Sequence, residues 1–196
     1  MLFRSPFFLS VNYPDAHGPW LKQVDGLPKD PLGPDDVQAF AYLGIDPPPM
    51  REAIANHYNC MGRLDSLVGD LLAALERSGK ADNTLVIYFG DHGADFLRGK
   101  RTSYEGGVRV PLIIRWPKQA KSGQVREELV STVDLMPTLL AVAQAEPVSI
   151  CQAGRSYHFC ATSRPIGANT FSPNFTRMRP VQTSTRNALS AMIATS

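Results

Sequence analysis

The 196-residue chain has no apolar run approaching the roughly 18 residues that a membrane-spanning helix needs, so no span is expected. Cysteine is scarce and odd in number: Cys60, Cys151 and Cys160 stand far apart, without a CxxC pair or any ligand-like spacing. That supports neither a disulfide framework nor a zinc site, and leaves Cys60 as a small core residue. Acidic residues are absent after Glu146. Up to that point eighteen Asp and Glu face fifteen Lys and Arg, whereas the last fifty residues hold five arginines and no acid. The overall charge of +2 therefore hides two unlike parts. With 43% hydrophobic residues the chain can bury a core, so disorder throughout is not expected.

An apolar stretch from Pro6 to Asn12 follows almost directly on Met1. It is too short for a signal peptide and is expected to be a core strand with upstream sequence missing. From Pro14 to Pro49 the chain is rich in Pro, Gly and Asp, the pattern of a long irregular excursion, and excursions of that length usually serve a site. Between Met50 and Ser78, apolar residues at Ile54, Tyr58, Met61, Leu64, Val68, Leu71, Leu72 and Leu75 keep helical periodicity, and Gly79 stands where a C′ residue would. Thr84 to Phe89 is a continuous apolar, β-branched run of the kind buried on both faces in a parallel sheet. A second run covers Val110 to Trp116, followed by a short strand near Leu129 and Val130 and a helix from Asp134 to Ala143 with Pro137 in its first turn. Helix then strand implies an α/β sandwich.

In open α/β sheets, ligands sit beyond the carboxyl ends of strands. The Thr84 strand runs into Gly90-Asp91-His92-Gly93, adjacent oxygen and nitrogen donors at a glycine-flanked corner that suit a divalent metal. The plainer alternative is that Asp91 caps a turn and His92 lies on the surface. Further on, Lys100 follows Gly99 on a glycine-bounded loop, placed to reach an oxyanion or simply solvated. The first strand leads to Pro14-Asp15-Ala16-His17-Gly18, where His17 is either a proton donor to a leaving group or an ordinary loop histidine.

Taken together, these segments resemble the sulfatase family, the formylglycine-dependent sulfuric ester hydrolases of the alkaline phosphatase superfamily. The resemblance runs from Pro6 to Ser156 through Pro6-Phe-Phe-Leu, Asn83-Thr-Leu-Val-Ile, Gly90-Asp-His-Gly93, Gly99-Lys-Arg-Thr-Ser-Tyr-Glu-Gly-Gly107, Pro111-Leu-Ile-Ile-Arg-Trp-Pro117, Val133-Asp-Leu-Met-Pro-Thr138 and Gly154-Arg-Ser156. It implies a partial alkaline phosphatase-like sandwich, a mixed sheet flanked by helices, over residues 1–155. Asp91 and His92 would then be metal ligands, Lys100 would hold a sulfate oxygen, and His17 would contact the bridging oxygen of the ester. Many sulfatases have Asn where His92 stands; the imidazole leaves Ca²⁺ favoured and brings Mn²⁺ into play. The substrate implied is a small-molecule or carbohydrate sulfate ester, with no nucleic acid and no membrane span. The intact family member would be periplasmic or extracellular.

The Cys/Ser-x-Pro-x-Arg motif that yields the formylglycine nucleophile is absent from the sequence, and the paired aspartates of the metal site are expected upstream. The chain is thus expected to be the second half of a catalytic domain, inactive by itself and binding a divalent ion weakly. A phosphonate or phosphate ester hydrolase of the same superfamily is one alternative. A remnant with a basic binding tail is another, though the tail arginines lack interleaved Lys or aromatic stacking residues.

Residues 156–196 keep no period of 2 or 3.6 and are expected to be a non-native, disordered tail. Shifting the frame by one nucleotide lets Ser156 to Ala161 read LPLLR and Gly167 to Thr176 read REYLFTEFH, a continuation typical of sulfatases. Met192-Ile193 forces GAT, aspartate, in that frame. Resequencing the gene across the Arg155 codon is expected to show a one-nucleotide slip; an unbroken frame confirmed in independent clones would refute it.

Overall fold

The structure, a computed structural model, describes residues 6–117, 119–120, 122–126 and 130–145, together with the backbone of residues 192–194. Its spine is α1 (Pro48–Arg77). Two prolines at the first helical positions cost no hydrogen bond there, because those N–H groups have no intrahelical partner. The helix closes through Ser78, and Gly79 takes the left-handed conformation at φ +69°, as its position suggests. The remaining α-helices among the described residues are one turn at α2 (Glu105–Val108) and two turns at α3 (Leu135–Val142). A 3-10 turn at Thr132–Asp134 leads into α3, with the Ser131 N–H donating to the Asp134 carboxylate at 2.8 Å.

Four strands, β1 (Phe7–Leu9), β2 (Thr84–Phe89), β3 (Leu112–Arg115) and β4 (Met192–Ala194), form one sheet in the order β1-β4-β2-β3. Alternation along β2 divides the core into two faces. Val86 packs with Leu71, Leu72 and Leu75 of α1, while Leu85 and Ile87 pack with Leu135, Leu139 and Val142 of α3 and with Ile114 of β3. A helix therefore covers each face, and the α/β sandwich expected from the sequence is present.

The sheet itself departs from expectation. Every described pairing is antiparallel, where the apolar run of β2 suggested parallel neighbours and the resemblance a mixed sheet. The reason lies in the β2–β3 connection, whose only helix is the single turn α2. A parallel return needs a crossover long enough to recross the sheet, and this loop instead re-enters at the end it left, pairing Phe89 with Leu112. The first four residues of β2 are nonetheless buried, because helices cover both faces. β1 also differs: it has three residues instead of seven, and as the terminal strand of the sheet it leaves Phe8 66% exposed rather than in the core. Leu129 lies outside the described residues, and Val130 is irregular. Most of the tail read as frameshifted also lies outside them; Met192–Ala194, by contrast, pair with both β1 and β2.

Because β4 runs antiparallel to both neighbours, β1 and β2 point the same way. Their carboxyl ends, and the start of β3, meet at one edge of the sheet, and the loops bearing His17, Asp91, His92 and Lys100 all leave from that edge. No described helix is long and apolar enough to cross a membrane.

Leu85 is 2% exposed between β2 and α3, so Leu85→Ala is expected to cost about 2–5 kcal/mol. Phe8→Ala, at an exposed position, should stay within about 0.5 kcal/mol. Urea unfolding of the two variants checks the contrast.

Candidate functional site

The loop after β2 is wound on itself by backbone hydrogen bonds. The Gly90 N–H donates to the Pro111 carbonyl at 3.2 Å, that of Gly93 to Gly107 at 2.9 Å, and that of Lys100 to Ala94 at 2.9 Å. Four glycines are required by this packing: a Cβ on Gly93 would overlap the Gly106 carbonyl oxygen, one on Gly99 the Ala94 carbonyl oxygen, one on Gly107 those of Thr102 and Gly99, and one on Gly106 that of Arg98. The motif glycines thus let the loop fold flat enough to hold its polar residues in fixed places.

At the corner, the His92 N–H donates to Asp91 Oδ1 at 3.0 Å. His92 Nδ1 lies 2.8 Å from the Gly93 carbonyl, which can only accept, so Nδ1 carries a proton and Nε2 is the nitrogen left for another partner. That Nε2 is 3.4 Å from Asp91 Oδ2. Two donors bonded to one ion at about 2.0–2.5 Å and roughly a right angle stand about that far apart, so the pair fits neighbouring positions of a single coordination sphere. Asp91 is 84% exposed, open to an ion from solvent. Among the described residues no group of three or more His, Cys, Asp or Glu gathers to hold a metal. In chemistry and spacing the two donors, Asp91 Oδ2 and His92 Nε2, fit one divalent ion.

On the neighbouring loop, His17 is exposed and its N–H closes a turn on the Pro14 carbonyl at 2.8 Å. Its Nδ1 lies 2.8 Å from the Gly18 carbonyl, so Nε2 is again the outward nitrogen. The loop is tied down beneath. Asp15 receives two hydrogen bonds from Arg63 of α1, at 2.8 Å from Nε and 2.5 Å from Nη2, and both side chains are about nine-tenths buried. These bonds hold the Arg63 guanidinium above its ordinary pKa against the opposing effect of burial. Trp20 Nε1 donates to the Ala16 carbonyl at 2.9 Å.

The two loops meet through aromatic rings. Trp20 from the His17 loop stacks on Phe96 from the Lys100 loop at 4.6 Å, and His57 of α1 stands edge-on to both, at 5.2 and 5.4 Å. Lys100 is half-buried on the same loop and forms no ion pair with any described residue. The structure therefore puts Asp91 and His92 in contact and sets the loops of His17 and Lys100 side by side. It shows no direct contact joining His17, Lys100 and the Asp91–His92 pair. Two cavities flank the region, one lined by Phe89, Val110, Leu112, Ser131, Thr132 and Leu135, the other by residues of the 38–46 segment and Arg51; none of the four side chains lines either.

The supporting residues Asp15, Arg63, Trp20, Phe96 and His57 were not singled out from the sequence. One signal was available: Arg63 stands three residues after Cys60 and one before Leu64, on the buried stripe of α1, where an arginine requires a partner.

The Sulfatase family model matches residues 4–145 of the chain. The chain is 38% identical over 95 residues to the ulvan-active sulfatase of Formosa agariphila, an alignment covering 48% of this chain and 16% of that protein. It is 38% identical over 155 residues to N-sulphoglucosamine sulphohydrolase of Homo sapiens, covering 69% and 31% respectively. With arylsulfatase A of Homo sapiens it shares 42% over 94 residues, covering 42% and 18%. The chain thus spans between 16% and 31% of the length of these relatives.

His57 gives the aromatic junction a pH dependence. Its Nδ1 is buried without a hydrogen-bond partner among the described residues, and burial lowers its pKa from the ordinary 6.5. On acidification the unfolded chain takes up the proton first, so His57 is expected to erode stability from about pH 6.5 downward, until the folded form protonates in turn. Urea midpoints between pH 7.5 and 5 should fall less steeply in His57→Leu than in the parent chain; parallel slopes would remove His57 from the acid response.

Proposed function

The chain belongs to the sulfatase family, and from that premise we propose that it carries the substrate-facing part of a sulfuric ester hydrolase site. The observation that carries this reading is the shared sheet edge: the His17, Asp91–His92 and Lys100 loops all leave the sheet there, and the Trp20–Phe96 stack joins the first to the last. Lys100 is assigned to a sulfate oxygen, where an ammonium without a competing ion pair gives a charge-assisted hydrogen bond. His17 is assigned to the bridging oxygen. With Nδ1 committed to the Gly18 carbonyl, its protonated form presents an Nε2–H that can be given to the departing alcohol as the S–O bond breaks.

Asp91 and His92 are assigned to a divalent cation, Ca²⁺ in the first place and Mn²⁺ in the second. Such an ion, when bound, supplies positive charge that polarises the sulfate oxygens. What the chain's own residues contribute is orientation: the His92 amide fixes the Asp91 carboxylate, and the Gly93 carbonyl fixes the imidazole ring. The Cys/Ser-x-Pro-x-Arg motif is not in this sequence, so the nucleophilic step is not assigned to any of its residues, and the chain by itself is expected to bind rather than turn over. A sulfated carbohydrate is the proposed substrate class, in keeping with the ulvan-active and sulphoglucosamine relatives by their names.

The test is a titration of the purified chain with inorganic sulfate, in the presence of Ca²⁺ or Mn²⁺, followed by NMR. Saturable shifts are expected at His17 and Lys100. Lys100→Ala should weaken binding by about ten- to hundredfold, as expected for losing one hydrogen bond to a charged group. Equal affinity of variant and parent would refute the assignment of Lys100, and tighter binding of inorganic phosphate than of sulfate would favour a phosphate ester hydrolase.

A further inference from the structure

We propose that Arg63 is a positioning residue for His17, acting through the Asp15 carboxylate to set the loop on which the imidazole stands. The inference rests on the functional reading above for what His17 does, but not for how it is held. Three observations carry it. Arg63 holds Asp15 by two hydrogen bonds, a fork-on-carboxylate contact that fixes orientation as well as distance, and both side chains are about nine-tenths buried. Asp15 is two residues before His17, inside the turn that the His17 N–H closes on Pro14, so little freedom remains between clamp and ring. The contact also spans 48 positions of sequence, from a loop without regular structure to the middle of the longest helix.

The pair is poorly explained as a device for stability alone. A buried ion pair gains little over an apolar pair of the same shape, since both charges have been taken from water. Here the exchange is less favourable still, because Arg63 Nη1 is buried without a hydrogen-bond partner among the described residues. A leucine on α1 facing an apolar loop residue would satisfy the core. What an apolar contact would not do is fix the rotation of the Asp15–His17 segment, because dispersion forces have no preferred direction. Arg63 also reaches Cys60 Sγ at 3.4 Å, so its own head is held on two sides before it meets the loop.

The experiment follows the ring signals of His17 in the purified 196-residue chain by ¹H–¹³C NMR, assigned with His17→Gln, with backbone amides of β2 and α3 reporting the fold. Arg63→Met is expected to move the His17 signals toward those of free histidine while the β2 and α3 amides stay in place. The exchange of partners, Asp15→Arg with Arg63→Asp, should bring the His17 signals back toward their original positions. Unchanged His17 signals in Arg63→Met would overturn the proposal. If Arg63→Met does not fold, the exchanged pair decides. A folded exchanged chain with the original His17 signals supports the clamp; one without them, or one that fails to fold, shows that the pair serves the core and overturns it. Failure of the parent chain to bind inorganic sulfate would remove the catalytic reading of His17 yet leave this comparison standing.

Discussion

A segment without regular structure keeps a shape only if its polar backbone and side chains find partners elsewhere, and in this protein they find them on one face of α1. Arg63 grips Asp15, Asn59 accepts from the Leu32 N–H at 2.7 Å and donates to the Leu32 carbonyl at 3.0 Å, and the Leu67 carbonyl receives the Tyr13 hydroxyl at 3.4 Å. Asn59 and Arg63 are buried, where an unpaired polar group would be costly, so each is both a demand and an anchor. The same helix packs Leu71, Leu72 and Leu75 on the sheet. α1 thus transmits the position of the sheet to the His17 excursion.

The second support is steric. Glycines 93 and 99 allow backbone to lie against backbone, and the resulting loop carries Asp91 and His92 at one end and Lys100 near its middle. Phe96, between them, is buried against Trp20 and His57. Apolar stacking there does what the ion pair does at Asp15: it removes a degree of freedom from residues whose chemistry depends on direction. His17, Asp91 and His92 are exposed beside these buried anchors.

Legibility in the sequence varied with the range of the interaction involved. The periodicity of α1, the stop at Gly79, the β2 run and the first turn of α3 could be read directly, because each depends on neighbours within a few residues. Strand direction could not: Thr84 to Phe89 is equally apolar whether its neighbours are parallel or antiparallel, and only the short return through α2 separates the two. The extent of β1 is not legible for a related reason, since Phe7, Phe8 and Leu9 look like core until the strand is found at the rim of the sheet. Asp91, His92, Lys100 and His17 were visible as reactive residue types after strands, while the groups that orient them were not, being ordinary in their local context.

What the amino-acid order determined alone is therefore the set of local conformations and the family to which the motif sequence belongs. Tertiary structure decided the rest: that β1 and β2 open at the same edge, that Trp20 meets Phe96, and that Arg63 finds Asp15. The physical reason is that helical periodicity and glycine conformation are settled by contacts a few residues away. The pairing of a buried guanidinium with a carboxylate 48 positions distant is settled by which surfaces the whole chain removes from water together.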